Sequence, residues 1–184
     1  MTVAVTGASG KLGSEIVKAV SSLGTHDVVG LVRTPAKAEH LGVEIRKGDY
    51  DAPAELEESL NAVETVLLVS GMDEPSKRVE QHRNVIRAAQ KAGVRKIVYT
   101  SVQGAETGTG FSPVIQSNRQ TERDVRDSGM EWAIGRNGLY IEPDVEYIHS
   151  YEKAGCIANC AGEGKCGYTT RSELAYAYAR MLTE

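Results

Sequence analysis

The chain has 184 residues, of which 25 are Asp or Glu and 21 are Lys or Arg, giving a formal net charge of −4. Because charges of both signs are intermingled, no face is expected to attract a polyanion, and no nucleic-acid partner is expected. No apolar run approaches the ~20 residues of a membrane span, and the first residues form a core strand rather than a signal peptide. We therefore expect a single domain over residues 1–184, located in the cytoplasm and without a membrane partner.

The three cysteines lie close together near the carboxyl end of the sequence. Their odd number argues against a disulfide framework and is compatible with reduced thiols. A zinc site is the alternative, but the spacing Cys-x3-Cys-x5-Cys, with His149 as the nearest histidine, matches no common zinc pattern. We expect no metal and ordinary, semi-buried thiols at Cys156, Cys160 and Cys166.

The first predicted element is an apolar strand at residues 3–6, which leads into glycines spaced G-x-x-G-x-x-G. A tight strand-to-helix turn needs Gly7, close approach of a pyrophosphate to the backbone needs Gly10, and helix–strand packing favours Gly13. The next helix directs its first N–H groups toward the anion. Its apolar face consists of Leu12, Ile16, Val17, Val20 and Leu23. This context predicts a dinucleotide site, with an ordinary glycine turn as the alternative. The candidate residues are Gly7, Ala8, Ser9, Gly10, Lys11, Leu12 and Gly13.

Short β-branched runs then alternate with helical patterns along the chain. The predicted strands cover residues 3–6, 28–33, 43–46, 66–69, 96–101 and 131–136. Their nearly continuous apolar character is typical of parallel strands covered by helices on both faces. Four further helices are predicted. One contains Leu56, Leu60 and Val63, the next contains Val79, Ile86 and Ala89 and ends at Gly93, and the third contains Ile115, Glu122 and Val125 and ends at Gly129. The last helix begins at a Thr170–Glu173 capping box and contains Leu174 to Met181. The fold class is therefore α/β, a doubly wound parallel Rossmann sheet of strand order 3-2-1-4-5-6, with its ligand crevice between strands one and four.

The end of the second strand indicates which dinucleotide is bound. An acidic residue there would accept hydrogen bonds from the ribose of NAD, but this chain has Arg33. A guanidinium can pair with a 2′-phosphate in a bidentate manner, and Lys37 could add a second charge. NADP(H) is therefore the predicted cofactor, and a solvated surface arginine is the alternative.

Polar and small residues follow the next three strands at the same edge of the sheet. Asp49 and Tyr50 lie where an adenine would bind, although a plain loop is the alternative. Ser70 and Gly71 are small enough to let the nicotinamide half pass. The hydroxyls expected at the lip after the fifth strand belong to Thr100 and Ser101, which also merely end strands in many proteins.

Several segments together resemble the NmrA-like group of atypical short-chain dehydrogenases/reductases, particularly its quinone- and triphenylmethane-reducing members. The Gln-His-Arg-Asn-Val and Arg-Asn-Gly-x-Tyr segments are more specific than the glycine motif. The matching segments run the full length of the chain in the family's order, at residues 5–13, 32–38, 48–50, 81–86, 99–101, 136–140 and 170–174.

The resemblance implies further residues around the cofactor and the substrate cleft. These are Asn137, Gly138, Tyr140 and Arg171, with strand-end turn chemistry as the alternative for the residues after the sixth strand. His82 is expected to be a packed or solvated histidine rather than a catalytic one. The family usually continues past this point with a substrate-covering portion, much of which we expect this chain to lack.

The usual acid–base pair of short-chain dehydrogenases is a Tyr followed four positions later by a Lys. Val114 and Asn118 occupy these positions, so no catalytic side chain is expected. The predicted function is an NADPH-dependent reductase that passes hydride directly to a quinone-like, electron-poor acceptor. An NADP(H)-binding redox-sensing regulator is the alternative, and a homo-oligomer is compatible with the sequence. An epimerase or alcohol dehydrogenase is disfavoured, because both need the Tyr/Lys pair.

Overall fold

The sheet has six parallel strands in the order β3-β2-β1-β4-β5-β6, as predicted. The computed structural model describes residues 1–157, 162–165 and 167–184. The strands are β1 (Thr2–Thr6), β2 (Asp27–Val32), β3 (Glu44–Lys47), β4 (Thr65–Leu68), β5 (Lys96–Val102) and β6 (Glu131–Asn137). All six predicted strands are present, each within one residue of its expected start.

Seven α-helices connect or follow these strands in the described residues. They are α1 (Lys11–Ser22), α2 (Pro53–Ser59), α3 (Pro75–Lys91), α4 (Pro113–Arg126), α5 (Glu142–Glu146), α6 (Ile148–Ala154) and α7 (Arg171–Thr183), with short 3-10 turns at Pro35–Lys37 and Glu39–Leu41. Among the described residues, no helix is long and apolar enough to cross a membrane.

The two faces of the sheet bury two separate cores. Along β1, Val3 and Val5 point to one face and Ala4 to the other, as the two-residue period of a strand requires. The first face packs against α1 and α7, and the second against α2, α3 and α4. Burial on both sides explains why β1, β2 and β4 are largely apolar.

The helix ends follow the predicted chemistry. Gly93 and Gly129 adopt positive φ values of 74° and 75° just after α3 and α4. Thr170 and Glu173 form the complete capping box of α7. The prediction for α2 was too long: Leu60 and Val63 are buried but lie beyond the end of the helix. A positive φ of 59° at Ala62 turns the chain there toward β4.

The cysteine prediction is tested only in part by the structure. The prediction of a semi-buried thiol is wrong for Cys156, which is exposed, whereas Cys160 and Cys166 lie outside the described residues. No group of His, Cys, Asp and Glu within the described part of the chain is arranged to hold a metal ion.

Candidate functional site

The glycine turn between β1 and α1 is packed too closely for larger residues. A Cβ added at Gly13 would lie 2.3 Å from the carbonyl oxygen of Gly7, and one at Gly10 would lie 3.2 Å from it. Gly7 itself has a φ of 60°, which L side chains rarely adopt. Gly10 is the N-cap of α1 and provides no side-chain acceptor. The first N–H groups of α1 are therefore available to an anion.

A cavity of about 750 Å³ opens at the carboxyl ends of the first four strands, beside this turn. This volume lies within the range of small-molecule and cofactor sites. The predicted residues that line it are Gly7, Ser9, Gly10, Arg33, Lys37, Asp49, Tyr50, Ser70 and Gly71. The sequence prediction missed the other lining residues, which are Val32, Thr34, Gly48, Val69, Met72, Asp73 and Gln81.

The remaining residues of the glycine segment support the turn from outside the cavity. Ala8 and Leu12 belong to the core under the sheet. Lys11 points outward, and its ammonium pairs with the Glu146 carboxylate at 2.8 Å. Only part of the predicted segment therefore lines the cavity, and the rest determines its shape.

Two cations stand at the rim of the cavity, at the end of β2. Arg33 and Lys37 are both exposed and line the cavity. Neither side chain forms an ion pair with any residue that the structure describes. Arg33 interacts electrostatically with the Asp73 carboxylate of the same cavity without forming an ion pair, and both cations are placed to meet an anionic group of a ligand.

The phenol of Tyr50 joins the ends of β1 and β4. Its hydroxyl donates to the carbonyl oxygen of Val69 at 2.8 Å and lies 2.5 Å from the Thr6 hydroxyl. Thr6 accepts a 2.9 Å bond from the Val69 N–H. Burial raises the pKa of Tyr50 far above its usual value. This tyrosine therefore shapes the cavity, and its hydroxyl hydrogen is held by the Val69 carbonyl.

The Ser70–Gly71 segment is held by side chains from the neighbouring strand and helix. The Ser70 N–H donates to the Thr100 hydroxyl at 2.8 Å, so Thr100 supports the cavity wall without lining it. The Ser70 hydroxyl donates to Asn118 Oδ1 at 3.3 Å.

Asn118 is buried on α4, with 2% of its surface exposed. Its amide nitrogen donates to the Val114 carbonyl at 2.8 Å. Val114 lies one turn earlier on the same helix, with its side chain half exposed. These two residues, predicted to stand at the Tyr/Lys positions, are an aliphatic side chain and a neutral amide.

Ser101 lies away from the predicted lip. It is buried, and its hydroxyl donates to the Glu122 carboxylate at 2.6 Å. Glu122 also accepts from Arg119 at 2.8 Å and from Arg136 Nε at 2.9 Å. The Ser101 hydroxyl is therefore bound by an ion-pair cluster of Glu122, Arg119 and Arg136. The sequence did not predict this cluster.

A second group of predicted residues gathers after β6, outside the cavity lining. Asn137 donates to the Tyr140 hydroxyl at 3.1 Å and accepts from the Tyr178 hydroxyl at 2.6 Å. The Arg171 guanidinium lies 5.5 Å from the centre of the Tyr140 ring. Gly138 approaches the Gly167 carbonyl so closely that a Cβ would be 3.2 Å from it. The structure brings these predicted residues together as a separate cluster.

Comparisons with known proteins agree with this geometry. The NAD(P)H-binding family matches residues 7–184. Quinone oxidoreductase 2 of Escherichia coli is 37% identical over 99% of this chain and 64% of its own length. An NmrA-like family domain-containing oxidoreductase of Aspergillus flavus is 30% identical over 98% of this chain and 61% of its own.

Solved structures show the same similarity. The E. coli NADPH-dependent quinone oxidoreductase complexed with NADPH superposes with a TM-score of 0.89 at 37% identity, covering 99% of this chain and 65% of that one. The Citrobacter sp. triphenylmethane reductase complexed with NADP(H) gives 0.91 at 34% identity, covering 100% and 66%. The chain thus spans slightly less than two thirds of these relatives. The chain belongs to the NAD(P)H-binding family.

Proposed function

We propose that the protein is an NADPH-dependent oxidoreductase that passes hydride from the nicotinamide directly to a quinone-like, electron-poor acceptor. The observation that carries the proposal is the combination of the glycine turn and the two unpaired rim cations in one cavity. Two relatives supply the class of reaction, since one is a quinone oxidoreductase and the other reduces triphenylmethane dyes.

The residues present fit an NADP(H) molecule. Gly10 and Gly13 have no side chains, so the backbone of the turn is accessible to a pyrophosphate. The N–H groups at the start of α1 would stabilise its negative charge. Arg33 and Lys37 would hold the 2′-phosphate, because both are exposed at the rim and unpaired within the described structure. The volume of about 750 Å³ suits a ligand of this class. When bound, the reduced nicotinamide supplies the hydride.

The chain's own residues would contribute positioning rather than proton transfer. Burial raises the pKa of Tyr50, of Tyr99 and of Tyr178, and all three phenols already donate within the protein. Val114 and Asn118 have no acidic proton to give. The reduced acceptor would therefore take its protons from water, and rate acceleration would come from holding the two reactants together.

The test is to mix the protein with NADPH and a benzoquinone and to follow the loss of reduced-nicotinamide absorbance. We expect oxidation faster than in the protein-free control and slower turnover with NADH. A rate equal to that of the control would contradict the proposal. If NADPH binds but no quinone oxidises it, a regulatory role would be indicated instead, and absence of NADPH binding would reject both.

A further inference from the structure

Gly71, in the wall of the cavity, has both of its backbone polar groups held by side chains from α3. The Gly71 N–H donates to His82 Nε2 at 2.9 Å. The Gly71 carbonyl accepts from Arg78 Nη1 at 3.3 Å. The two side chains are four positions apart and therefore lie on the same face of the helix.

The imidazole of His82 is fixed in one tautomer by its partners. Since the Gly71 N–H is a donor, Nε2 must be unprotonated, and the neutral ring then carries its proton on Nδ1. Nδ1 lies 2.8 Å from the Thr121 hydroxyl, which donates its own hydrogen to the Ser117 carbonyl at 3.1 Å. The Thr121 oxygen therefore accepts from Nδ1–H, and every polar atom of the ring is satisfied.

Burial and aromatic contacts fix the position of the same ring. His82 has 0% of its surface exposed, and burial followed by the charge of Arg78 lowers its pKa to about 3. Tyr50 and Tyr99 meet the ring edge to face, with centroids at 6.3 Å and 5.5 Å. Of these two tyrosines, Tyr50 lines the cavity. His82 therefore contacts two lining residues, Gly71 through a hydrogen bond and Tyr50 through its ring.

Arg78 connects the same wall to α4. Its side chain is 5% exposed and donates to the Val114 carbonyl at 2.9 Å and to the Ser117 hydroxyl. No carboxylate pairs with it among the residues that the structure describes. A buried cation bonded to carbonyl oxygens instead of an acid is costly. This cost indicates that Arg78 is retained because it fixes the position of the Gly71 peptide.

We propose that His82 and Arg78 are positioning residues of the cofactor site, which hold the Gly71 peptide in its binding position before the dinucleotide arrives. The inference rests on the proposed function, because the position of Gly71 matters to activity only if a dinucleotide occupies the cavity. A wall fixed in advance avoids the entropy of ordering it on binding. Loss of either residue should therefore weaken NADPH binding more than it slows turnover.

The first experiment compares NADPH affinity in two variants of α3. His82→Leu removes the acceptor for the Gly71 N–H, whereas Val85→Ala removes buried apolar volume on the same helix without contacting Gly71. After correction for the folded fraction, we expect the NADPH Kd to rise about tenfold in His82→Leu and to stay within about twofold of wild type in Val85→Ala. Equal changes in the two variants would overturn the proposal.

Conservative variants keep the test informative if His82→Leu does not fold. His82→Gln retains an oxygen that can accept from Gly71 and should recover part of the affinity. Arg78→Met should raise the Kd less than His82→Leu, because its bond to Gly71 is longer, and kcat should change little in either variant. A fall in kcat with an unchanged NADPH Kd would contradict a positioning role.

The second experiment needs no cofactor and separates this inference from the proposed function. Nitrogen NMR of the wild-type protein should show His82 protonated only on Nδ1 between about pH 5 and pH 8. A proton on Nε2 would refute the positioning role, whatever the protein binds. If this tautomer is found but NADPH does not bind, the proposed function fails while the arrangement at Gly71 stands.

Discussion

The phenol of Tyr99 donates a 2.6 Å hydrogen bond to Oδ1 of Asn118, and neither side chain reaches solvent. In short-chain dehydrogenases with a Tyr/Lys pair, the lysine lowers the pKa of a nearby phenol, and we predict that Asn118 stands at its position. A neutral amide has no charge with which to do so. Burial instead raises the pKa of Tyr99. The Tyr99–Asn118 contact is therefore a structural hydrogen bond between two neutral groups.

The first prediction is a flat pH dependence. With saturating NADPH and a quinone, kcat should be nearly constant between about pH 6 and pH 9, because no side chain is required to change protonation in that range. Stopped-flow or steady-state rates across this range are the measurement. Asn118→Asp is the positive control, since it places a titratable carboxyl at the same position. A sigmoid or bell-shaped profile of the wild-type enzyme would show that an acid or base takes part.

The second prediction concerns cofactor choice. Arg33→Asp should raise the NADPH Kd about ten- to a hundredfold, because it replaces a charged contact to the 2′-phosphate with a repulsive carboxylate. The affinity for NADH, which lacks that phosphate, should change much less. Titration of both dinucleotides by fluorescence or calorimetry measures the two effects.

Arg95→Asp is the matched control for this charge reversal. Arg95 immediately precedes β5 at the amino ends of the strands, opposite the carboxyl ends that form the cavity. It forms an exposed ion pair with Glu131 that contributes little to stability. The Arg95→Asp substitution changes the net charge by the same amount as Arg33→Asp and should leave the NADPH Kd unaltered. If both variants weaken NADPH equally, the effect is that of net charge, and the assignment of Arg33 to the 2′-phosphate is wrong.

The third prediction concerns the packing of the glycine turn. Gly13→Ala places a Cβ 2.3 Å from the Gly7 carbonyl oxygen, so the turn or α1 must move. We expect a loss of about 1–3 kcal/mol in the free energy of unfolding, together with weaker NADPH binding. Gly110→Ala is the control, because nothing lies within 4 Å of its added Cβ. Denaturant unfolding of the two variants measures the difference in their stability. Equal midpoints would show that the turn tolerates the methyl group.

Much of the fold was predictable from local pattern. Parallel strands covered on both faces must be apolar throughout, so their sequences are distinctive, and Gly93 and Gly129 mark helix ends by their backbone freedom. The end of α2 was not predictable, because Leu60 and Val63 continue the apolar pattern of the helix after it has ended. The helix ends at Ser59, and the chain turns at Ala62, whose positive φ is rare for a residue other than glycine.

The site was predictable where strand ends determine it. Arg33 and Tyr50 line the cavity because they follow β2 and β3 at the edge where such sheets bind ligands. Asp73 and Gln81 were missed, since they reach the cavity only through the packing of α3 and the loop before it. The specific Gln-His segment was a signal for Gln81 and His82. A histidine on a helix, however, does not by itself reveal which peptide it holds.

The last prediction concerns Glu122, which is fully buried among three arginines. Burial alone would raise its pKa, but hydrogen bonds from Arg136 and Ser101 and the charges of Arg119 and Arg136 lower it to about 2 from 4.5. A carboxyl with a lowered pKa in the folded state contributes stability above its unfolded value. That contribution, about 3 kcal/mol, should be lost as the pH falls from 4.5 toward 2.

Glu122→Gln should remove this dependence and leave the buried Arg119 with only the more distant Glu106 carboxylate, at 3.8 Å, as counter-ion. We expect a loss of about 3–5 kcal/mol in the free energy of unfolding at neutral pH and a flatter decline of stability in acid than in the wild type. Urea unfolding of both proteins at several pH values between neutrality and about pH 3 is the measurement. Glu131→Gln, which changes an exposed carboxylate on β6, should follow the wild-type curve. Parallel curves for Glu122→Gln and wild type would mean that Glu122 does not carry the acid sensitivity.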